Sequence, residues 1–190
     1  MLPLDHLLLA YASGWFPMAG DDGQIRWYSP DPRGILPLNA FHVPGRLART
    51  LRQGRFEVRL DTAFREVMAA CAADREEGSW INREIIETYS ALHDLGSAHS
   101  VEAWQEGQLV GGLYGVSLRG AFFGESMFHQ VTDASKVALV ALVEHLRTRG
   151  YDLLDVQWVT PHLEQFGAVE ISKRAYLRRL EQALSKAGEW

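Results

Sequence analysis

Two short runs of this chain set polar groups among apolar neighbours. In Ala121-Phe122-Phe123-Gly124-Glu125-Ser126-Met127-Phe128 a lone carboxylate, Glu125, lies between Phe122, Phe123, Met127 and Phe128. In Leu153-Leu154-Asp155-Val156-Gln157-Trp158 a carboxylate and an amide, Asp155 and Gln157, stand two positions apart. Both runs read as strands. Side chains at i and i+2 of a strand point to one face, so Asp155 and Gln157 share one. An unpaired carboxylate is costly to bury, so such a group is paired, solvated or used. If the two strands are neighbours, Glu125, Asp155 and Gln157 meet in a polar pocket walled by aromatics. That pocket is the candidate active site, with groups able to orient a substrate and accept a proton.

The elements that must position it follow from the pattern. Leu4 to Gly14 reads as a short helix stopped by its glycine. An aromatic, turn-rich segment follows, from Trp15-Phe16-Pro17-Met18 through the turn Gly20-Asp21-Asp22-Gly23 to Trp27-Tyr28-Ser29-Pro30-Asp31-Pro32-Arg33-Gly34. It suits a small lid on the main domain or a stacking platform for a ring. A strand is expected over 35–38. Pro44 opens a helix to Gln53, along which Arg46, Arg49 and Arg52 recur every three residues. That face is either solvated or a contact for phosphates, which arginine grips through a bidentate fork. Phe56–Leu60 alternates as a strand, and Asp61 is placed to cap a helix Thr62–Ala73. A charged loop, Asp74 to Ile81, leads to a helix Arg83–Leu95 capped by Asn82. Strands over 99–104, 109–118 and 121–128 make an antiparallel meander. The glycines Gly111, Gly112 and Gly115 suggest a bulge there or a close approach by a ligand. The helix Lys136–Arg149, the Asp155 strand, a helical turn over 162–166 and a helix Lys173–Leu184 behind Ser172 complete the chain.

This order predicts a mixed α/β fold of the N-acetyltransferase-like type, with a central, mainly antiparallel sheet. A soft boundary near Pro30–Gly34 divides a small N-terminal subdomain, residues 1–33, from a catalytic domain, residues 34–190. A chain of 190 residues can bury a sizeable core. The net charge of −5 argues against a bulk polyanion binder, although the stretch Arg46–Arg59 holds five Arg against one Glu. The one cysteine, Cys71, excludes an internal disulfide framework and reads as core packing. No apolar run reaches the ~20 residues that span a membrane, and the start lacks a basic signal region. A cytoplasmic protein is expected.

Five separated runs carry a resemblance: Trp27 to Arg33, Leu109 to Gly115, Gly124 to Phe128, Asp133 to Lys136 and Leu154 to Gln157. Together they resemble the leucyl/phenylalanyl-tRNA–protein transferases of bacteria, from about Leu8 to Leu180. The resemblance implies transfer of Leu or Phe from Leu-tRNA or Phe-tRNA to the α-amine of proteins beginning with Arg or Lys, marking them for N-end rule degradation. It implies no cofactor: neither metal nor coenzyme A. It implies Asp155 and Gln157 as the catalytic pair, with Asp155 orienting Gln157 and the Gln157 carbonyl against the attacking amine. The proton would end on Asp155 or on the tRNA ribose, or the pair would act by positioning alone. Glu125 would hold the basic N-terminal residue. Leu113, Phe122, Met127 and Leu154 resemble the aminoacyl pocket, and Trp80 an aromatic that stacks on the terminal adenine. Met18 departs from the Trp common as its partner, and Thr160 from a common Asn. Arg46, Arg49 and Arg52 are candidates for the acceptor-stem phosphates, and a monomer is expected.

Two rival readings are kept. One is an acetyl-coenzyme A-dependent N-acetyltransferase, which would want a glycine-rich turn before the helix at Lys136. The run His129-Gln130-Val131-Thr132-Asp133-Ala134-Ser135 holds no glycine and places a carboxylate there. The other is a non-catalytic module that binds a tRNA CCA end or a protein N-terminus.

Overall fold

The computed structural model describes residues 1–73 and 80–190. In the strand Gln108–Leu118 (β6), consecutive residues serve opposite cores. Leu113 packs on one side and Tyr114 on the other, as the two-residue period of a strand demands. The same split holds for Phe122 and Phe123 on Ala121–His129 (β7), and for Leu154 and Leu153 on Leu153–Gln157 (β8). The sheet is therefore buried on both faces.

Among the described residues this sheet has seven strands. With Ala98–Gln105 (β5), β6 and β7 form the expected antiparallel meander. The helix Ala134–Thr148 (α5) then crosses over, and β8 pairs parallel to β7. Arg33–Ile35 (β3) and Val169–Ile171 (β9) extend the sheet beyond β8, and Glu57–Leu60 (β4) edges it beyond β5. An antiparallel meander joined through one helix to a parallel strand is the mixed α/β order read from the sequence.

One face carries α5, with its stripe of Val137, Leu139, Val140, Leu142, Val143 and Leu146, and the helix Gly45–Arg52 (α2). The other carries Leu4–Ala12 (α1), Phe64–Ala73 (α3), Arg83–Asp94 (α4) and Lys173–Leu184 (α7). Pro161–Glu164 (α6) is a single turn. Asn82 and Ser172 cap α4 and α7 as expected, each side-chain oxygen accepting an N–H three residues on.

Three local expectations are corrected, and a fourth falls mostly outside the described residues. The segment after α1 is a hairpin, Phe16–Ala19 (β1) with Ile25–Tyr28 (β2), closed by the anticipated turn. The strand expected over 35–38 lies at Arg33–Ile35, and Leu38–Ala40 is a 3-10 turn. Asp61 does not cap α3; its carboxylate holds the Ser100 N–H at 2.9 Å and the His99 ring at 2.8 Å. The buried Glu102 takes that place, accepting the N–H groups of Thr62 and Ala63 at 3.0 Å. The charged loop expected over Asp74–Ile81 lies, apart from Trp80 and Ile81, outside the described residues.

Candidate active site

Strands β7 and β8 pair only over Ala121–Phe123 and Leu153–Asp155. Beyond that point they part, and two irregularities shape the gap. Tyr114 pairs with Ser126 while Gly115 pairs with Gly124, so Glu125 is an extra residue in β7. Gly34 pairs with Gln157 while Ile35 pairs with Asp155, so Val156 is extra in β8. A bulge breaks the alternation and re-aims the side chains next to it. Glycines make both possible. A Cβ on Gly115 would lie 2.3 Å from the Phe123 carbonyl oxygen, and one on Gly34 would lie 2.7 Å from the Trp158 carbonyl carbon. The close approach anticipated for the β6 glycines is thus made by the protein's own strand.

Glu125 is buried, and its Oε1 accepts two hydrogen bonds. The Tyr11 hydroxyl donates at 2.7 Å and the Gln157 side-chain Nε2 at 3.1 Å. The Tyr11 hydroxyl also meets that of Tyr89 in a short hydrogen bond, so α1 and α4 both brace this carboxyl. Burial pushes Glu125 up to about 8; the Tyr11 hydrogen bond opposes the rise, Asp155 adds to it and Arg33 opposes it. Below that pH the group is mainly neutral. A cation brought alongside would favour the ionised form.

Asp155 is fully buried and fully engaged. The Arg33 guanidinium donates to it in a fork, Nε to Oδ1 at 3.0 Å and Nη2 to Oδ2 at 2.7 Å. The Tyr176 hydroxyl donates to Oδ2 at 2.6 Å, and the Gln157 N–H to Oδ1 at 2.8 Å. Arg33 spends its remaining Nη1 on the Gly14 carbonyl and lies between the rings of Phe16 and Tyr176. Burial disfavours its charge, but the attraction of Asp155 outweighs that and holds its pKa above the ordinary value. Burial, then Asp155, push the Tyr176 hydroxyl far up.

The expected Asp155–Gln157 pairing therefore runs through the backbone, not between side chains. It fixes Gln157 at φ +61°, a left-handed conformation that costs a residue with a Cβ roughly 1–3 kcal/mol. With its amide nitrogen on Glu125, Gln157 leaves its carbonyl oxygen for another donor; no hydrogen bond among the described residues occupies it.

These groups stand at a cavity of ≈520 Å³. One part is aromatic and sulfurous: Phe16, Met18, Trp80 and Trp158. Ala19 N–H bonds the Trp80 carbonyl at 3.2 Å, tying Trp80 to the end of β1 beside Met18. The other part is aliphatic: Leu113, Leu139, Leu142, Leu154 and Leu163, with Met127. Glu125 and Gln157 lie with them on the wall, as do Ser135, His129, Thr160 and His162. Burial lowers the His162 pKa, and its Nε2 has no hydrogen-bond partner among the described residues.

Of the residues singled out from the sequence, Glu125, Gln157, Trp80, Met18, Leu113, Met127 and Leu154 are brought together on this wall. Asp155 stands behind it. Phe122 is not on it: the ring lies in the α5-side core, stacked 5.4 Å from Trp190. Arg46, Arg49 and Arg52 are exposed on α2, and none of them lines the cavity. Sequence reasoning missed Arg33, Tyr11, Tyr89 and Tyr176, and the lining residues Phe16 and Trp158. The clue to Arg33 was a lone arginine ending the Trp27–Arg33 run, opposite carboxylates that had to be paired somewhere.

Comparison with known families decides the class. The profile of the leucyl/phenylalanyl-tRNA protein transferases matches residues 35–181, and that of their N-terminal domain matches residues 1–31. The chain belongs to the leucyl/phenylalanyl-tRNA protein transferase family. A curated leucyl/phenylalanyl-tRNA–protein transferase of Paramagnetospirillum magneticum is 60% identical, over 97% of this chain and 90% of the relative. That of Herpetosiphon aurantiacus is 59% identical, over 94% of this chain and 92% of the relative. Among solved structures, a ribosomal-protein-alanine N-acetyltransferase from Brucella melitensis aligns at 15% identity and a TM-score of 0.42, over 58% of this chain and 86% of that one. Family membership gives the reaction: an aminoacyl-tRNA is the donor and a protein the acceptor, as in EC 2.3.2.6. Among the described residues, no helix of this transferase is long and apolar enough to cross a membrane.

Proposed function

We propose that the cavity holds the aminoacylated 3′ CCA end of Leu-tRNA or Phe-tRNA and the N-terminus of an acceptor protein that begins with Arg or Lys. The aromatic part, Trp80 with Met18, takes the terminal adenine by stacking. The aliphatic part, Leu113, Met127 and Leu154 with Leu139 and Leu142, takes the Leu or Phe side chain. Glu125 receives the cationic side chain of the acceptor, which offsets the cost of ionising a buried carboxyl. Arg46, Arg49 and Arg52 meet acceptor-stem phosphates outside the cavity. We read the chain as a cytoplasmic monomer, divided near residue 33.

The observation that supports this most is Gln157. Its backbone is clamped by Asp155 and its amide nitrogen by Glu125, leaving a carbonyl oxygen to accept from a neutral α-amine. Attack of that amine on the ester carbonyl forms the amide bond and breaks the bond to the ribose oxygen. The amine proton passes to the departing ribose oxygen. Asp155, saturated by Arg33, Tyr176 and Gln157, acts by position. Holding amine and ester in attack geometry is the main term, because it replaces an encounter in solution by a unimolecular step.

The test is transfer of labelled leucine from tRNA to a peptide beginning with Arg. Label should enter the free peptide and not its N-acetylated form, and acetyl-coenzyme A should give no product. Label in both peptides, or in neither with acetylation in its place, would overturn the reading.

A further inference from the structure

Trp190 follows α7 at the far side of the β6–β7 turn and folds back into the molecule. Gly188 lets it do so: a Cβ there would lie 2.4 Å from the Arg119 carbonyl oxygen. The Trp190 indole is then sandwiched. The Phe122 ring lies 5.4 Å away at 19° on one side, and the His99 ring 4.2 Å away at 15° on the other. The His145 ring tilts against it at 4.4 Å, and its indole N–H donates to Asp61 at 2.7 Å. Asp61 is itself fixed by His99 and the Ser100 N–H. These bonds already occupy the side chains of the cluster Asp61, His93 and His99, so its geometry serves as a socket for the indole rather than a cation site.

This socket backs onto the cavity. Phe122 is in register with Leu154, which lines the aliphatic part. His145 is three residues along α5 from Leu142, another lining residue, and such residues share a helix face. Trp190 packs against the one core cluster that contains Leu113, Phe122, Leu142 and Leu154.

We propose that Trp190 is a specificity-determining residue that sets the depth of the aminoacyl pocket by holding Phe122 forward against Leu154 and Leu142. The inference rests on the reading that the aliphatic part takes the aminoacyl side chain. Removing the indole frees Phe122 to fall back, so the pocket deepens and the larger ring of Phe gains over Leu. The effect reaches the pocket through one intervening ring, so it should be milder than a direct change of a lining residue, which shifts selectivity by about 10–200-fold per methylene.

The test is a competition assay with equal Leu-tRNA and Phe-tRNA and an Arg-peptide acceptor. Wild type, Trp190→Ala, Trp190→Phe and the direct pocket variant Leu154→Ala are compared. The Phe/Leu product ratio should rise roughly fivefold for Trp190→Ala, less for Trp190→Phe, and more for Leu154→Ala. If Leu154→Ala shifts the ratio while both Trp190 variants lower the two donors equally, the residue is only structural and the proposal is overturned. If none of the variants shifts the ratio, the pocket assignment itself fails. Should Trp190→Ala not fold, the ratio for Trp190→Phe, which keeps a smaller ring in the socket, decides.

Discussion

Replacing Glu125 by Gln should flatten the pH dependence of stability. The neutral amide oxygen can still accept from Tyr11 and Gln157, so the hydrogen bonds at 2.7 Å and 3.1 Å are kept and only the ionisation is lost. In the native protein burial raises the Glu125 pKa from 4.5 to about 8. The folded state therefore holds this proton more tightly than the unfolded chain does. The stabilisation it contributes is complete below pH 4.5 and is lost as the pH rises through about 8. At about 1.36 kcal/mol per tenfold change in proton affinity, this ionisation removes about 4 kcal/mol of wild-type stability between pH 5 and pH 9. Urea unfolding of wild type and Glu125→Gln across that range isolates it, because His145, His162 and the other titrating groups that do not act on Glu125 cancel in the difference. The gap should grow in favour of the variant as pH rises, levelling above pH 8. Parallel profiles would refute the claim that Glu125 is a buried, mainly neutral acid at neutral pH. A gap that grows towards acid pH would mean that it is held as an anion.

Three further outcomes follow from the same geometry. Asp155→Asn and Arg33→Met should each cost about 3–5 kcal/mol in urea unfolding, because each leaves a buried charge unpaired, and the double variant should cost less than their sum. Trp80→Ala should raise the KM for aminoacyl-tRNA by roughly 5–150-fold, the worth of one stacked base, and leave the KM for the peptide unchanged in steady-state transfer. Gly115→Ala should destabilise by about 1–3 kcal/mol in thermal unfolding, since its methyl would meet the Phe122 ring at 2.5 Å and the β7 bulge cannot yield without moving Glu125.

The helices and the meander were legible because their cues are local. The apolar stripe of α5, the Asn82 and Ser172 caps and the alternation in β6 each lie within one element. The misses are non-local. Asp61 looks like a helix cap from its neighbours alone, yet it takes φ +57° and turns to His99 and Trp190, while Glu102, far along the chain, caps α3. The hairpin β1–β2 was read only as turn-rich, since four-residue strands offer too few alternations to register. Arg33, between Pro32 and Gly34, has nothing nearby to mark it as buried, although Asp155 required a partner. Glu125 and Gln157 were found because a polar side chain in an apolar strand is anomalous wherever it sits. Their exact relation was not, because two bulges overrule the period from which a shared face is read. Phe122 shows the same limit. Alternation gives the face of the sheet but not whether a ring lines a cavity or stands behind its wall.

The most direct test of the account is the rate of the chemical step without Gln157. Wild type and Gln157→Ala, each preloaded with labelled Leu-tRNA, would be mixed with saturating Arg-peptide and followed through one turnover. The account predicts equal binding of the charged tRNA and a transfer rate lower by roughly 10²-fold, as for loss of one positioned transition-state contact. An unchanged rate would contradict it, for the carbonyl held by Asp155 and Glu125 would then have no part in presenting the amine.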